Sequence, residues 1–435
     1  MRPPARITFI PLLALIYVSV CGGAYGMEDM VSSAGPGGTI FLLLTAAVLW
    51  GLPMALAMAE LGAGWPVLGG YYRWTRTAFG DFWGFQQGWW QMLSSWFDNA
   101  LYPVIVSDYL ATLVPALGGG WKIVVRLSII ILFSITNVLG VGVVGRLTVL
   151  FDILMVLPFV PFVILGLAQW THNPLVPFTP PGDSAFSALG VGMLIVMWGY
   201  SGYETMSTAI TEVDNPQRNF PRALLWSIPV TVASYAVPLV VGVAAHGQWQ
   251  TWTDGTLGDA AATIGGPWLH TSMLLGAVVS SMGLFNGLFL SYSRLPVAMA
   301  QDGFLMKWLA GVSPRWGTPV RSIAANACVY AALAFFDFRD LVVIDTILFS
   351  AGYILIYFTL VRFRARFPDV ARPFRIPGGP VVLWIVVLVP TAVAAAACVM
   401  ADFEEIRWGL AAAATGPLAY LLIRLSRRLA PERKQ

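Results

Sequence analysis

Charge is what this sequence most conspicuously lacks. Asp, Glu, Lys and Arg make up 11% of its 435 residues and hydrophobic residues 57%, whereas ordinary soluble domains carry about 25% charged residues. Cysteine is nearly absent. Cys21, Cys328 and Cys398 lie far apart inside apolar stretches without a CxxC spacing, so neither a disulfide nor a metal centre is expected. The three histidines, His172, His246 and His270, are equally scattered, with no HExxH motif. No stretch alternates apolar with polar over about ten residues, which excludes a membrane β-barrel. A net charge of only +3 gives no reason to expect a nucleic-acid partner.

What is present in abundance is long apolar runs, recurring from end to end, each able to cross a hydrocarbon core of about 30 Å. The chain therefore reads as an all-α membrane protein in contact with the lipid bilayer, a single transmembrane domain over 1–435 without a separate soluble part. Twelve spans are predicted, near 7–34, 38–62, 82–114, 121–140, 146–170, 186–211, 222–245, 267–300, 319–336, 340–362, 380–400 and 405–425. Arg2 and Arg6 ahead of the first apolar run imitate a signal peptide. Val20 before Cys21 is larger than a lipoprotein cleavage site accepts, so the segment reads as an uncleaved first helix. With the N-terminus inside, all but four of the 25 Lys and Arg residues fall on the cytoplasmic side; Lys122, Arg126, Arg339 and Arg407 are external. That asymmetry places both termini in the cytoplasm and suits a plasma or inner membrane.

Two spans are interrupted. "CGGAYG" breaks the first near its middle, and "GYSGYE" (199–204) breaks the sixth. Backbone at membrane depth has no water to satisfy it, so non-helical stretches persist only where they line a cavity or are buried in protein. Interruptions at matched positions in two five-span halves point to an inverted repeat, 7–170 and 186–362, followed by two further helices over 380–425. The site expected at their interface comprises Gly22, Gly23, Ala24, Tyr25 and Gly26 from the first break, and Trp198, Gly199, Tyr200, Ser201, Gly202, Tyr203 and Glu204 at the second. Broken helix ends present partial charges of both signs, which suits a zwitterionic, cationic or carboxylate-bearing solute. The aromatic residues among them offer cation–π contacts to an ammonium group.

A carboxylate at the bilayer centre costs about 2.5–3.5 kcal/mol on insertion scales, so the acids inside spans ask for a reason. Asp98 sits mid-span on a polar face with Gln87, Gln91, Ser94 and Tyr102, at helical steps of 3 or 4. Glu28 follows the first break and Glu204 ends the second. Glu60, in "MALAMAELG", lies where Arg73 or Arg76 is positioned to pair with it, as a gate or structural ion pair. Asp152 lies in the fifth span. No Lys or Arg falls mid-span, so protons or a bound cation must neutralise these acids. Proton-coupled transport of an amine-bearing solute fits both conditions.

"AELG" (59–62), "GWPVLGGYYRW" (64–74), "EVDNPQRNFPRA" (212–223), "SRLPVAMAQDG" (293–303) and "RPFRIPGGP" (372–380) occur in the order and spacing of the amino acid–polyamine–organocation superfamily, which the chain resembles over nearly its whole length. "GGAYGMED" and "GFQQGWWQMLSSWFDNALYPVIVSDYL" look like its polyamine-uptake branch of plants and protozoa, while "GYSGYE" is nearer the general amino-acid pattern. The resemblance implies the five-plus-five inverted repeat with discontinuous first and sixth helices. It makes Glu28, Asp98 and Glu204 candidates to hold the amines of a putrescine- or spermidine-like cation. Met155 stands where many amino-acid relatives carry a lysine in place of a sodium ion, and Ser280 and Ser281 are candidates for a sodium site. Glu60, Asp152, Ser280 and Ser281 are thus the gating or coupling candidates.

"GVGVVG" (140–145) matches GxGxxG only literally: it lies in a short turn between membrane helices with no strand before it. With no nucleophilic or metal-ligand constellation either, an enzyme is not expected, and no cofactor is implied. Half-helices favour an occluded midplane site over a channel's continuous pore. The expected function is secondary active transport of amino acids or polyamines, as a proton-coupled symporter working by alternating access. The alternatives are an amino-acid exchanger or a non-transporting sensor on the same fold.

Overall fold

The computed structural model describes residues 6–182, 184–253, 255–336, 338–400 and 403–429. Arg2 and the side chains of Arg339, Cys398, Arg427 and Arg428 lie outside the described residues. The described part is helical, and its one extended contact is an isolated parallel bridge between Ile7 and Val213. In chain order the helices are α1 (Phe9–Val20), α2 (Asp29–Ala34), α3 (Pro36–Gly64), α4 (Gly70–Phe79), α5 (Asp81–Leu113), α6 (Trp121–Leu139), α7 (Val141–Ala168), α8 (Ala185–Gly199), α9 (Pro216–His246), α10 (Thr256–Gly265), α11 (Pro267–Gln301), α12 (Val320–Leu333), α13 (Phe338–Arg366), α14 (Gly379–Met400) and α15 (Phe403–Leu429).

Eight helices among the described residues are long and apolar enough to cross a membrane. The other four expected spans depart for physical reasons. The first and sixth are cut short by their breaks, α12 has only 14 residues, and α5 carries a polar stripe. At 33 residues, α5 is about 50 Å long at 1.5 Å per residue, ample to cross. Its buried residues include Gln86, Gln87, Gln91, Ser94, Ser95, Asp98 and Asn99, so its polar groups face protein.

The exterior is inverted relative to a soluble protein. Ile131 and Ile135 on α6 are 62% and 54% exposed, and Ile164 on α7 is 63% exposed; lipid is the solvent these faces match. The core is aromatic and small-residue packed, with Trp50, Tyr71, Tyr72, Tyr200 and Tyr203 fully buried. Helix α5 is its axis, flanked by α11, α13 and α4.

The end of the bundle at Asp81 is closed. Ile7 N–H donates to the Glu212 carbonyl at 2.9 Å and Asp214 N–H to the Ile7 carbonyl at 2.9 Å. Buried Arg294 holds Glu212 through Nε at 2.7 Å and Nη2 at 3.2 Å. Arg73 and Arg76 hold Asp302 at 3.2 and 3.0 Å, so they are not the partners expected for Glu60. Glu60 instead takes Arg364 (2.8 and 2.6 Å), Arg372 (3.6 Å) and the Ile376 N–H (2.8 Å). The reason is topological: α3 packs along α13, and the segment after α13 folds back over the Glu60 carboxylate.

A candidate substrate cavity between two broken helices

Helix α1 ends at Val20, and the chain runs extended through Cys21 (φ −129°, ψ 116°) before α2 starts at Asp29. Helix α8 ends at Gly199, and after residues 200–204 the chain continues as a 3-10 helix, Thr205–Glu212. The two breaks cross in contact. At Gly202 (φ +113°) a β-carbon would collide with the Ser19 carbonyl oxygen, so only glycine meets both the backbone conformation and the close approach.

Each break frees carbonyls and N–H groups that a buried site must satisfy. One residue serves both. The Tyr235 hydroxyl, on α9, lies 2.9 Å from the Val20 carbonyl oxygen and 2.7 Å from that of Gly199. Ser280 on α11 donates to the Gly22 carbonyl at 2.6 Å. Gly26 N–H donates to Glu28 Oε2 at 2.6 Å. In the second break, Gly202 N–H donates to the Tyr353 hydroxyl at 2.8 Å, which in turn donates to Glu204 Oε2. Trp50 stacks on the Tyr353 ring at 5.4 Å and donates to Ser201 Oγ at 3.3 Å.

Between the breaks, α5, α11 and α13 lies a cavity of about 700 Å³. Gln91 through Thr112 of α5 line it, a run of about 31 Å by helical rise. It reaches the surface at Thr112 and at Asp108, whose side chain is 48% exposed and pairs with Lys122 at 2.8 Å. Its walls carry five acids, Asp29, Asp98, Asp108, Glu204 and Asp345, and no Lys or Arg among the described residues. Asp98 accepts from Tyr102 at 3.1 Å and Tyr292 at 2.8 Å. Asp345 accepts from Ser94. None of these three partners carries charge, so the carboxylates keep whatever charge they have available for a solute.

Of the residues singled out from sequence, Gly22, Tyr25, Gly26, Asp98, Trp198, Gly199, Ser201, Gly202, Glu204, Ser280 and Ser281 line the cavity. Gly23, Ala24, Glu28, Tyr200 and Tyr203 do not; Ala24, Glu28, Tyr200 and Tyr203 are buried behind it. Asp152 lies on α7 away from the cavity, its Oδ1 buried without a hydrogen-bond partner. Glu60 belongs to the closed end. Sequence reasoning missed Asp345 and the hydroxyls of Tyr235, Tyr292 and Tyr353.

A bundle closed at its Asp81 end, a mouth at Asp108 and Thr112, and an acid-bearing cavity framed by two unwound helices define a membrane transporter rather than an enzyme. A profile of the amino acid permease family matches residues 7–420. A probable polyamine transporter of Arabidopsis thaliana is 35% identical over 86% of this chain and 75% of its own. Polyamine transporter PUT1 of Oryza sativa subsp. japonica is 34% identical over 94% of this chain and 77% of its own. Polyamine transporter RMV1 of Arabidopsis thaliana is 34% identical over 86% and 76%. The chain belongs to the amino acid permease family, as the resemblance in its motifs implied.

Proposed function

We propose that the protein takes up a linear polyamine in symport with protons, by alternating access, across a plasma or inner membrane with both termini cytoplasmic. Asp98, Glu204 and Asp345 would bind the amines, and the backbone of residues 21–26 and 199–204 would frame them. Twelve spans arranged as an inverted repeat, 7–170 and 186–362, with two added helices over 380–425, account for the matched breaks.

The cavity wall carries the reading: five acids and no Lys or Arg among the described residues line it. The one described with basic partners is Asp108 at the mouth, held by Lys122 and Arg126. A solute bearing net positive charge is favoured there, and an amino acid's carboxylate would meet like charge at Asp98, Glu204 and Asp345. A cavity drawn out over about 31 Å suits a linear amine better than a compact amino acid. The names of the relatives agree with this choice. The test is uptake of labelled spermidine into proteoliposomes with an imposed inside-alkaline gradient. Accumulation that excess amino acids leave intact supports the reading. Amino-acid accumulation without spermidine uptake would replace it with amino-acid transport.

A further inference from the structure

The segment 302–321, which joins α11 to α12, carries charge and apolar surface that the cavity does not use. Lys307, Arg315 and Arg321 are exposed, and residues 303–336 contain no Asp or Glu to offset them. Met306, Trp308, Val312 and Trp316 are exposed beside them, while Phe304 and Leu309 are buried and anchor the segment. The turn at its tip is closed by two backbone bonds of 2.8 Å, Ser313 N–H to the Thr318 carbonyl and Gly317 N–H to the Ser313 carbonyl. That turn presents Arg315 with its guanidinium over the Trp316 ring at 4.7 Å. Arg321 Nη1 donates to the Trp308 carbonyl at 3.4 Å. Each of the two tryptophans is thereby paired with an arginine.

Packing places this segment at a membrane boundary. It starts at Asp302, which Arg73 and Arg76 hold at the closed end. Thr318 Oγ1 donates to the Val138 carbonyl at 2.8 Å, and a β-carbon at Gly140 would stand 3.8 Å from the Trp316 carbonyl oxygen. Val138 and Gly140 belong to the turn between α6 and α7, two helices long and apolar enough to cross a membrane. A turn between two spans lies where the hydrocarbon ends, so Trp316 stands at headgroup level. Helix α12, which follows, has 14 residues and is about 21 Å long. A span shorter than the hydrocarbon core draws its flanking residues toward the bilayer. Arg146, exposed on α7, turns back toward the same boundary, its Nε donating to the Gly142 carbonyl at 3.0 Å. From Trp121 to Phe151, α6 and α7 contain no acid.

We propose that this segment binds the headgroup of an anionic phospholipid in the leaflet at the closed end. Lys307, Arg315 and Arg321 take the phosphate, and Trp308 and Trp316 lie at the boundary between headgroup and acyl chain. Tryptophan favours that boundary because its ring is apolar and its N–H is polar, and guanidinium groups match phosphate oxygens in a bidentate fork. A soluble anion would satisfy the bases but leave Met306, Trp308, Val312 and Trp316 in water. A lipid supplies the anion and the hydrocarbon together. A zwitterionic headgroup brings its own ammonium to three bases, which disfavours it. The inference stands apart from the solute, since no residue of the segment lines the cavity.

The test is thermal melting of the purified full-length protein in detergent micelles, titrated with dioleoylphosphatidylglycerol or with dioleoylphosphatidylcholine. A ligand of the folded state raises the melting temperature by mass action. A saturable rise with phosphatidylglycerol is expected, with little or none from phosphatidylcholine at the same mole fraction. Arg315→Gln removes an exposed side chain and disturbs no buried partner. It should move the midpoint of the titration about fivefold, the equivalent of about 1 kcal/mol for one base at an anionic membrane surface. Lys307→Gln, Arg315→Gln and Arg321→Gln combined should move it about tenfold or more. Arg218→Gln, Arg362→Gln and Arg424→Gln combined remove the same charge from exposed positions on α9, α13 and α15, and should leave it within about twofold of wild type. No rise with phosphatidylglycerol, equal responses to the two lipids, or equal midpoints in the wild type and both Arg315 variants would overturn the proposal. Equal loss in the two triple variants would overturn it as well, by showing a diffuse effect of charge. The same rise from glycerol 3-phosphate alone would replace the lipid with a soluble anion.

Discussion

Tyr235→Phe removes one oxygen atom and tests whether the double break is held as described. Its hydroxyl lies within 2.9 Å of the Val20 carbonyl and 2.7 Å of the Gly199 carbonyl, each the last acceptor of a helix that stops there. A hydroxyl has one proton, so the two carbonyls share a single donor and the loss is one bond, not two. A buried carbonyl left without a donor costs about 1–3 kcal/mol, whereas polar contacts between membrane helices average about 0.6 kcal/mol. The range of about 0.6–3 kcal/mol corresponds to about 3- to 150-fold in any equilibrium or rate that depends on the bond. Phenylalanine fills the same space and the ring keeps its edge contact with Tyr200 at 5.5 Å, so packing is preserved. The assay is the initial rate of uptake per molecule at the membrane, with a melting curve on the purified protein. A fall in rate within that range, with a lower melting temperature, is expected. Wild-type rate and melting would mean that another donor serves the two helix ends and that the crossing is not tied at Tyr235.

Four further outcomes follow from particular contacts. Gly202→Ala should abolish transport and lower the yield of folded protein, since the β-carbon meets the Ser19 carbonyl; near-normal uptake would show that the breaks do not cross so closely. Glu60→Gln leaves Arg364 and Arg372, with side chains 11% and 7% exposed, without their counter-charge, and should cost about 3–5 kcal/mol in a stability assay. Adding Arg364→Met to it should recover part of that loss, and no recovery would count against the pairing. Asp98→Asn and Glu204→Gln should each lower transport while insertion is intact; wild-type uptake from both would remove these acids from the site. Asp345→Asn should likewise lower transport while insertion is intact, and wild-type uptake from it would remove Asp345 from the site.

What could be read from the sequence was what breaks a local pattern. "CGGAYG" and "GYSGYE" interrupt apolar periodicity, and Asp98 shares a helical face with Gln91, Ser94 and Tyr102, so the cavity's frame and one wall were legible in the residues themselves. Asp345 was not, because its apolar neighbours in "LVVIDTILFS" give it no polar helical face within a turn or two. Tyr235, Tyr292 and Tyr353 read as ordinary bundle aromatics, since nothing local tells where a phenol hydroxyl will point. Glu60 shows the limit most plainly. Arg73 is nearest in sequence, but its partners Arg364 and Arg372 come from a segment about 300 residues on, brought there by helix packing.

The function proposed for the cavity depends on its carboxylates holding amines. Equilibrium titration of spermidine into the purified wild-type protein and Asp98→Asn answers that without involving the gradient or the gate. Saturable binding to wild type, weakened about tenfold or more in the variant, the value of one charge-assisted contact of about 1.5–3 kcal/mol, is the predicted result. Equal binding by the two proteins, or binding of a neutral amino acid in place of spermidine, would contradict it.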